Sequence, residues 1–348
     1  MGIPISRPSI KRKDMDSVLS CMVSDTIGPD RISKQLVDAI GEYLKRKGGL
    51  ALREYPRAVQ LALEGLGLGA GSRVVGSALL PALYAEAFEA LGIEFIPADV
   101  SETAPVITPQ TVQEAIAAAD AGEAAAADAL IVDTALGFCP DLEALAGLGI
   151  PIIEDISQGL GAHTGDRLAG TFGRYTVIGL EPEHIVTAGG GAVVIGAGRK
   201  ESSWLKSRGE ELPPEVLLPD VNSALGLTQI KELDRFLEKR RELAPRFLRS
   251  LSAGRHRMPA QPGDGENVFF SFPVALESGV NEVIAYARKH EVEAVPAFSG
   301  SMVASRAGME ERVPNARGYL MRCVRFPLYP LLKNSESERI SRVLSTLP

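Results

Sequence analysis

The stretch that decides the fold reads PIIEDISQGLGAH (Pro151 to His163), then TFGRYTVIGLEPEH (Thr171 to His184), then IVTAGGGAVV (Ile185 to Val194). One apolar strand delivers Glu154 and Asp155 to a loop. A second delivers Glu181, Pro182, Glu183 and His184 to another, and a glycine triplet turns the chain into a third strand. Carboxyl and imidazole groups gathered at strand ends lie where an α/β sheet opens its ligand crevice.

Working outward, strands are expected at 73–75, 94–97, 129–132, 152–154, 175–180 and 192–195. Helices are expected at 81–91, 111–121 and 142–146 between them. Strands alternating with helices over short connections predict a mostly parallel sheet covered on both faces. Upstream, the apolar spacing of Met15, Val18, Leu19 and Met22 predicts a helix within 8–24. A second helix is expected over 31–47, ended by Gly48-Gly49, and a third over 57–66 with Pro56 at its first turn. Downstream of Lys200 the character changes. One long charged helix is expected over 221–251, then a strand at 267–274, a helix at 280–290, a strand at 292–295 and a closing helix at 335–347. Helices on one side of a small antiparallel sheet would suit this tail. The expected division is a large domain, 1–230, and a small α+β domain, 231–348.

Composition narrows the function. The chain has 348 residues, a net charge of −7 and a pI of about 5.4, which leaves no electrostatic footprint for nucleic acid. Cys21, Cys139 and Cys323 are odd in number, far apart and without metal spacing, as suits a reducing cytoplasm. No apolar run is long enough to span a bilayer; the alanine-rich 111–132 is broken by Gln113, Glu114, Asp120, Glu123 and Asp128. The opening Met1-Gly2-Ile3-Pro4-Ile5-Ser6 fits the short myristoylation pattern, but Pro4 and the lack of a second anchor favour a plain structural arm. The expected location is the cytoplasm.

With the strands placed, the chain resembles the DegT/StrS-type sugar aminotransferases, fold-type I enzymes that use pyridoxal phosphate (PLP). The resemblance rests on the arm Ile3 to Ser9, on Ile27-Gly28-Pro29, and above all on Ile153 to Ala162. Gly170-Thr171-Phe172-Gly173, Gly226 to Ile230 and Phe326 to Pro330 complete it. It implies a large domain built on a mostly parallel seven-stranded sheet, a smaller C-terminal α+β domain, and a homodimer. It also implies a site with five parts: a carboxylate on the pyridine nitrogen, a donor at the phenolic oxygen, a stacking aromatic ring, a phosphate cup and an imine-forming lysine. The protein supplies orientation and electrostatics to the cofactor's chemistry.

By that resemblance Asp155 stands at the pyridine-nitrogen position and Gln158 at the phenolic-oxygen position; the plain alternative for Asp155 is a turn cap. His184 takes the lysine position, or Glu183 does if the one-residue deletion is placed before Pro182. Neither register supplies a lysine. Gly179 replaces a phosphate-binding serine, and Glu54-Tyr55-Pro56 replaces the small-residue phosphate turn. Pro56 has no N–H to give, and Glu54 sets a carboxylate against a phosphate. Arg53 and Arg57 flank that turn as possible anion contacts, with a solvated helix start as the alternative. No stacking aromatic lies in 77–81, and Tyr84 is expected in the core.

Three readings follow. The first is an aminotransferase-like protein with an eroded PLP site, binding a sugar nucleotide or another small anion, or serving as a partner subunit. The second is a PLP- or PMP-dependent enzyme on nucleotide sugars, either a dehydratase with His184 as general base or a remaining aminotransferase. The third is a structural or regulatory homodimer. His163 is expected to bond locally, His256 and His290 to lie on the surface, and Trp204 to anchor packing.

Overall fold

The structure, a computed structural model, describes residues 2–24, 26–119 and 126–348. Its strands follow the apolar runs. In chain order they are β1 (Gly49–Leu52), β2 (Arg73–Ser77), β3 (Glu94–Ala98), β4 (Ala129–Asp133), β5 (Ile152–Asp155), the short β6 (His163–Thr164) and β7 (Arg167–Leu168), then β8 (Tyr175–Gly179) and β9 (Ala192–Gly196). Seven of them form the central sheet in the order β1-β9-β8-β5-β4-β2-β3. β9 runs antiparallel to both neighbours, and the remaining strands are parallel to one another. Every residue of β4, β5, β8 and β9 is buried. That is why these strands read as continuous rather than alternating apolar segments. Helices cover the sheet, giving the α/β architecture expected from the sequence.

β1 escapes the sequence pattern. It is four residues, Gly-Leu-Ala-Leu, with no β-branched side chain. Its pairing requires Gly49: a Cβ there would sit 2.4 Å from the carbonyl oxygen of Val194. The preceding helix stops at Tyr43, earlier than expected, and Lys45 takes a left-handed φ of 55° on the way into the strand.

The tail carries a second, antiparallel sheet. After β10 (Gly265–Glu266), which pairs with β6, come β11 (Phe272–Ala275), β12 (Val295–Pro296) and β13 (Cys323–Phe326), ordered β11-β13-β12. The expected single helix over 221–251 is two, Asp220–Ile230 and Leu233–Leu251. The break falls at Glu232, whose carboxylate accepts from Lys11 Nζ at 2.9 Å and pairs with Lys13. The helix expected to reach residue 121 is seen as Pro109–Ala119; 120 and 121 lie outside the described residues. His256 is not a surface residue. It is 3% exposed, with Nε2 against the carbonyl of Pro348 and Nδ1 accepting from the Glu277 N–H. His290 is exposed and packs on Tyr286, and Trp204 packs edge-on against Tyr175.

The apolar core falls into two clusters. The first fills both sides of the central sheet and takes in Phe298, Met302 and Tyr319 from the tail. The second gathers Phe247, Phe272, Phe326 and Ile340, together with Ile3 from the N-terminal arm. Contacts therefore cross any boundary drawn near residue 230, and the division into 1–230 and 231–348 stands as a proposal about folding units. Arg240 lies at the seam. It is buried, and its Nη1 donates to the carbonyls of Phe269, Phe270 and Leu328 at 2.7–2.8 Å. With no carboxylate beside it, burial lowers its pKa to about 10.

Candidate ligand crevice

The C-terminal ends of the parallel strands deliver their polar residues to one place. Asp133 ends β4, Asp155 ends β5, and the two are register partners. His184 follows β8. Facing them, residues 296–301 pack onto the loop after β2 through Ala82 N–H to Gly300 O (2.8 Å) and Met302 N–H to Leu80 O (2.7 Å). Between the two lies a cavity of about 750 Å³ lined by Asp133, Asp155, Gln158 and His184. Its size is within the range of small-molecule sites.

Asp155 is fully engaged by the chain itself. Its Oδ2 accepts from the hydroxyls of Tyr55 and Tyr84, the latter at 2.8 Å. Its Oδ1 accepts from Ser157 N–H at 2.9 Å and from the Ser157 hydroxyl. A carboxylate offers about four acceptor sites, and four donors occupy them. Burial first, then the charge of Asp155, pushes both phenols well above their ordinary pKa, so each keeps its proton to donate. Ser157 Oγ also accepts from Gly179 N–H at 2.7 Å, tying the ends of β5 and β8 together.

Glu154, the neighbour of Asp155, faces the other way. It accepts from the N–H groups of Gly170, Phe172 and Gly173, each at 2.6 Å. The Gly170 to Gly173 element is thus a backbone clasp on a buried carboxylate. Gln158 lines the crevice, and its Oε1 accepts from Leu136 N–H at 2.6 Å.

His184 depends on Gly179. A Cβ at Gly179 would lie 2.4 Å from His184 Cε1, so the ring occupies the space that a serine side chain would need. His184 Nδ1 accepts from the Glu181 N–H at 3.0 Å, which places the proton of the neutral ring on Nε2. Burial lowers its pKa, against the opposing pull of Asp155, Glu183 and Glu181. Glu183 pairs with Arg325 at 2.9 Å. Among the described residues that line the crevice there is no lysine.

The proposed anion contacts separate. Arg53 is exposed at the rim of the crevice. Arg57 does not line it; two helical turns bring Glu64 under its guanidinium, and the pair closes at 3.0 Å. Glu54 lines the cavity, and Pro56 removes a donor from the first turn of the helix Tyr55–Gly65. His163 lies elsewhere, with Nε2 2.6 Å from Glu266. The whole lining holds six carboxyl groups (Glu54, Glu86, Asp133, Asp155, Glu181, Glu183) against two guanidiniums.

Four residues of this arrangement were not anticipated in their roles. Tyr55 and Tyr84 sit 100 and 71 residues from their carboxylate in sequence, so no local signal links them. Ser157 was legible only as part of the loop motif. Asp133 closes the apolar run Ala-Leu-Ile-Val-Asp, a strand-end acid that the crevice rule alone could have flagged.

The sequence model of the DegT/DnrJ/EryC1/StrS aminotransferase family matches residues 8–345, and the chain belongs to that family. It is 27% identical over 254 residues to the L-glutamine:2-deoxy-scyllo-inosose aminotransferase of Micromonospora echinospora. That match spans 65% of this chain and 59% of the relative. Among solved structures it resembles the aminotransferase TlmJ of Streptoalloteichus hindustanus (TM-score 0.88, 21% identity, 99% of this chain and 98% of that one). It resembles equally a protein of Streptococcus pneumoniae solved in a PLP form (TM-score 0.88, 15% identity, 99% and 98%) and also in a PMP form. At these identities the structural likenesses establish the fold. Family membership points to PLP as the group expected at such a crevice.

Proposed function

We propose that this member of the family has left PLP-dependent transamination and binds a small polar ligand directly in the inherited crevice. The observation that carries the reading is Asp155: all four of its acceptor positions are filled by Tyr55, Tyr84 and Ser157. A pyridinium N–H would have to displace a buried phenol. Three further features agree. The lining has no lysine, Gly179 cannot carry a serine while His184 keeps its place, and the turn at Glu54 to Pro56 brings a carboxylate and a proline where a phosphate would need N–H donors. The residues present do not fit the cofactor.

The dehydratase reading would make His184 a general base. The nitrogen with the free lone pair, Nδ1, already accepts from Glu181, and Nε2 carries the proton. A neutral ring so arranged donates to a ligand rather than taking its proton, so His184 is read as a binding residue.

Assembly is proposed as a homodimer, supported by an apolar helix face. Met15, Leu19, Met22, Val23 and Ile27 are each more than half exposed, at helical spacing and just beyond the helix end.

Titrating the purified protein with PLP and following the cofactor's absorbance tests the main reading. No saturable change at micromolar PLP is expected. A saturable change, abolished by Asp155→Ala, would sink it.

A further inference from the structure

We propose that the open edge of the central sheet is a docking site, and that an extended acidic segment of another protein adds to β1 there as a further strand. The site is independent of the crevice. Gly49 pairs with Ile195, which faces Thr176 at the amino end of β8, whereas the crevice opens at the carboxyl end of that strand.

β1 is an edge strand, with β9 on one side only. Its outer side is covered at the carboxyl end alone. There Arg53 N–H donates to Val216 O and Leu218 N–H to Ala51 O, both at 2.9 Å, and Leu52 faces Leu217. Peptide groups alternate sides along a strand. Gly48 O accepts from Gly196 N–H on the β9 side, and Ala51 O accepts on the outer side, so the N–H and C=O of Gly49 point outward. The segment 216–218 stops short of them.

Past that point the edge is the floor of a groove of about 1090 Å³. One wall is a face of the helix Arg31–Tyr43, at Ser33 and Val37. The other is a face of the helix Arg199–Glu211, at Arg199, Ser202, Lys206 and Gly209. A slot between two helices with a free strand edge as its floor has the form that strand addition requires. The backbone of the guest pairs along the floor, and its side chains point alternately to the two walls.

Charge selects the guest. Lys45 and Lys47 on the floor and Arg199 and Lys206 on one wall are exposed, with no ion-pair partner among the described residues. Arg46 is turned inward to Thr176 and Gly173, and Lys34 is paired with Asp30 at 3.7 Å. Asp38 and Glu210 are the acids left in the lining, so the surplus is positive on a chain whose net charge is −7. Lysines beside an open edge repel a basic or like edge and attract an acidic one. Val37, Leu50 and Leu217 supply apolar contact between the charges. The guest is therefore an extended segment in which acidic and apolar residues alternate.

Fluorescence anisotropy of the full chain with a labelled, end-blocked seven-residue peptide alternating glutamate and valine tests the proposal. This peptide is expected to bind at least tenfold more tightly than its lysine–valine counterpart. N-methylation of alternate peptide amides should weaken binding at least tenfold in one register and little in the other, because only one set faces β1. Lys47→Glu combined with Lys206→Glu should lower the affinity at least tenfold without lowering the melting midpoint. Hydrogen exchange in the complex should slow at the Gly49 N–H and stay unchanged around the crevice. No binding, equal binding of the lysine peptide, indifference to N-methylation in both registers, or unchanged exchange at Gly49 overturns the proposal. Preferred binding of oligothymidylate overturns it in favour of a nucleic-acid groove. A peptide that splits a native dimer, seen by light scattering, overturns it in favour of a second copy of the chain at this edge.

Discussion

At the scale of single residues, the crevice is built from pairs that only make sense together. Tyr55 and Tyr84 answer Asp155, and Gly179 makes room for His184. Asp133 Oδ1 has no such answer among the described residues. Burial first, then the charge of Asp155 one strand away, raises its pKa from 3.8 to about 7. Between those values the folded chain holds a proton that the unfolded chain has released. Stability therefore falls as pH rises from about 4 through about 7 and is level above that. A shift of roughly three units corresponds to at most about 4 kcal/mol. Asp133→Asn should leave stability at pH 4 nearly unchanged and raise it at pH 8 by up to ~4 kcal/mol, read by urea denaturation at both values. A loss of stability at pH 8 would mean that the carboxylate has a favourable partner in the folded protein.

At the scale of elements, one carboxylate sets a boundary that periodicity does not show. The charged stretch after Asp220 has helical spacing throughout, but Glu232 is drawn to Lys11 and Lys13 of the N-terminal helix segment. These two ammonium groups lower its pKa to about 2, so the attraction is present above the ordinary carboxylate range and is lost as pH falls towards 2. Glu232→Gln should loosen the helix Arg12–Met22 from the helix Asp220–Ile230. Hydrogen exchange should then speed up over Arg12–Met22 and stay unchanged in the central sheet; unchanged protection of that helix would remove Glu232 from this role. β1 makes the same point in another way. Nothing in Gly49–Leu52 announces a strand, because its pairing is decided by β9 and by the absence of a side chain on Gly49.

At the scale of the whole molecule, the tail closes the crevice and the arm closes the tail. Residues 296–303 sit on the loop after β2, while Ile3 bridges to Val292 and joins the second core cluster. The face left over is that of the N-terminal helix. Its Met15, Leu19, Met22 and Val23 recur on one side, while Cys21 and Asp14 are buried. If this face is the seam of a homodimer, light scattering should give twice the chain mass of 37.0 kDa for the native protein. Leu19→Glu combined with Met22→Lys should give the single mass with an unchanged circular dichroism spectrum. A native monomer, or a dimer indifferent to both changes, would rule the seam out.

The sequence by itself determined the sheet and the crevice's address. Short apolar runs between helices read as central strands, and their carboxyl ends mark where the crevice opens; that Asp155 faces it while Glu154 turns away to Gly170, Phe172 and Gly173 is not written in the run. It also carried the family frame from Ile153 to Ala162. Which groups meet in the crevice was decided by tertiary structure alone. The partners of Asp155 come from a helix start and a second helix far away in the chain, brought together by packing of the helix Tyr55–Gly65 on the helix Tyr84–Leu91. Arg57, adjacent in sequence to the turn it was expected to serve, is turned away by the helix's own rotation to Glu64. Hydrogen-bond saturation and net charge are sums over neighbours in space, and a strand's periodicity carries no information about those neighbours.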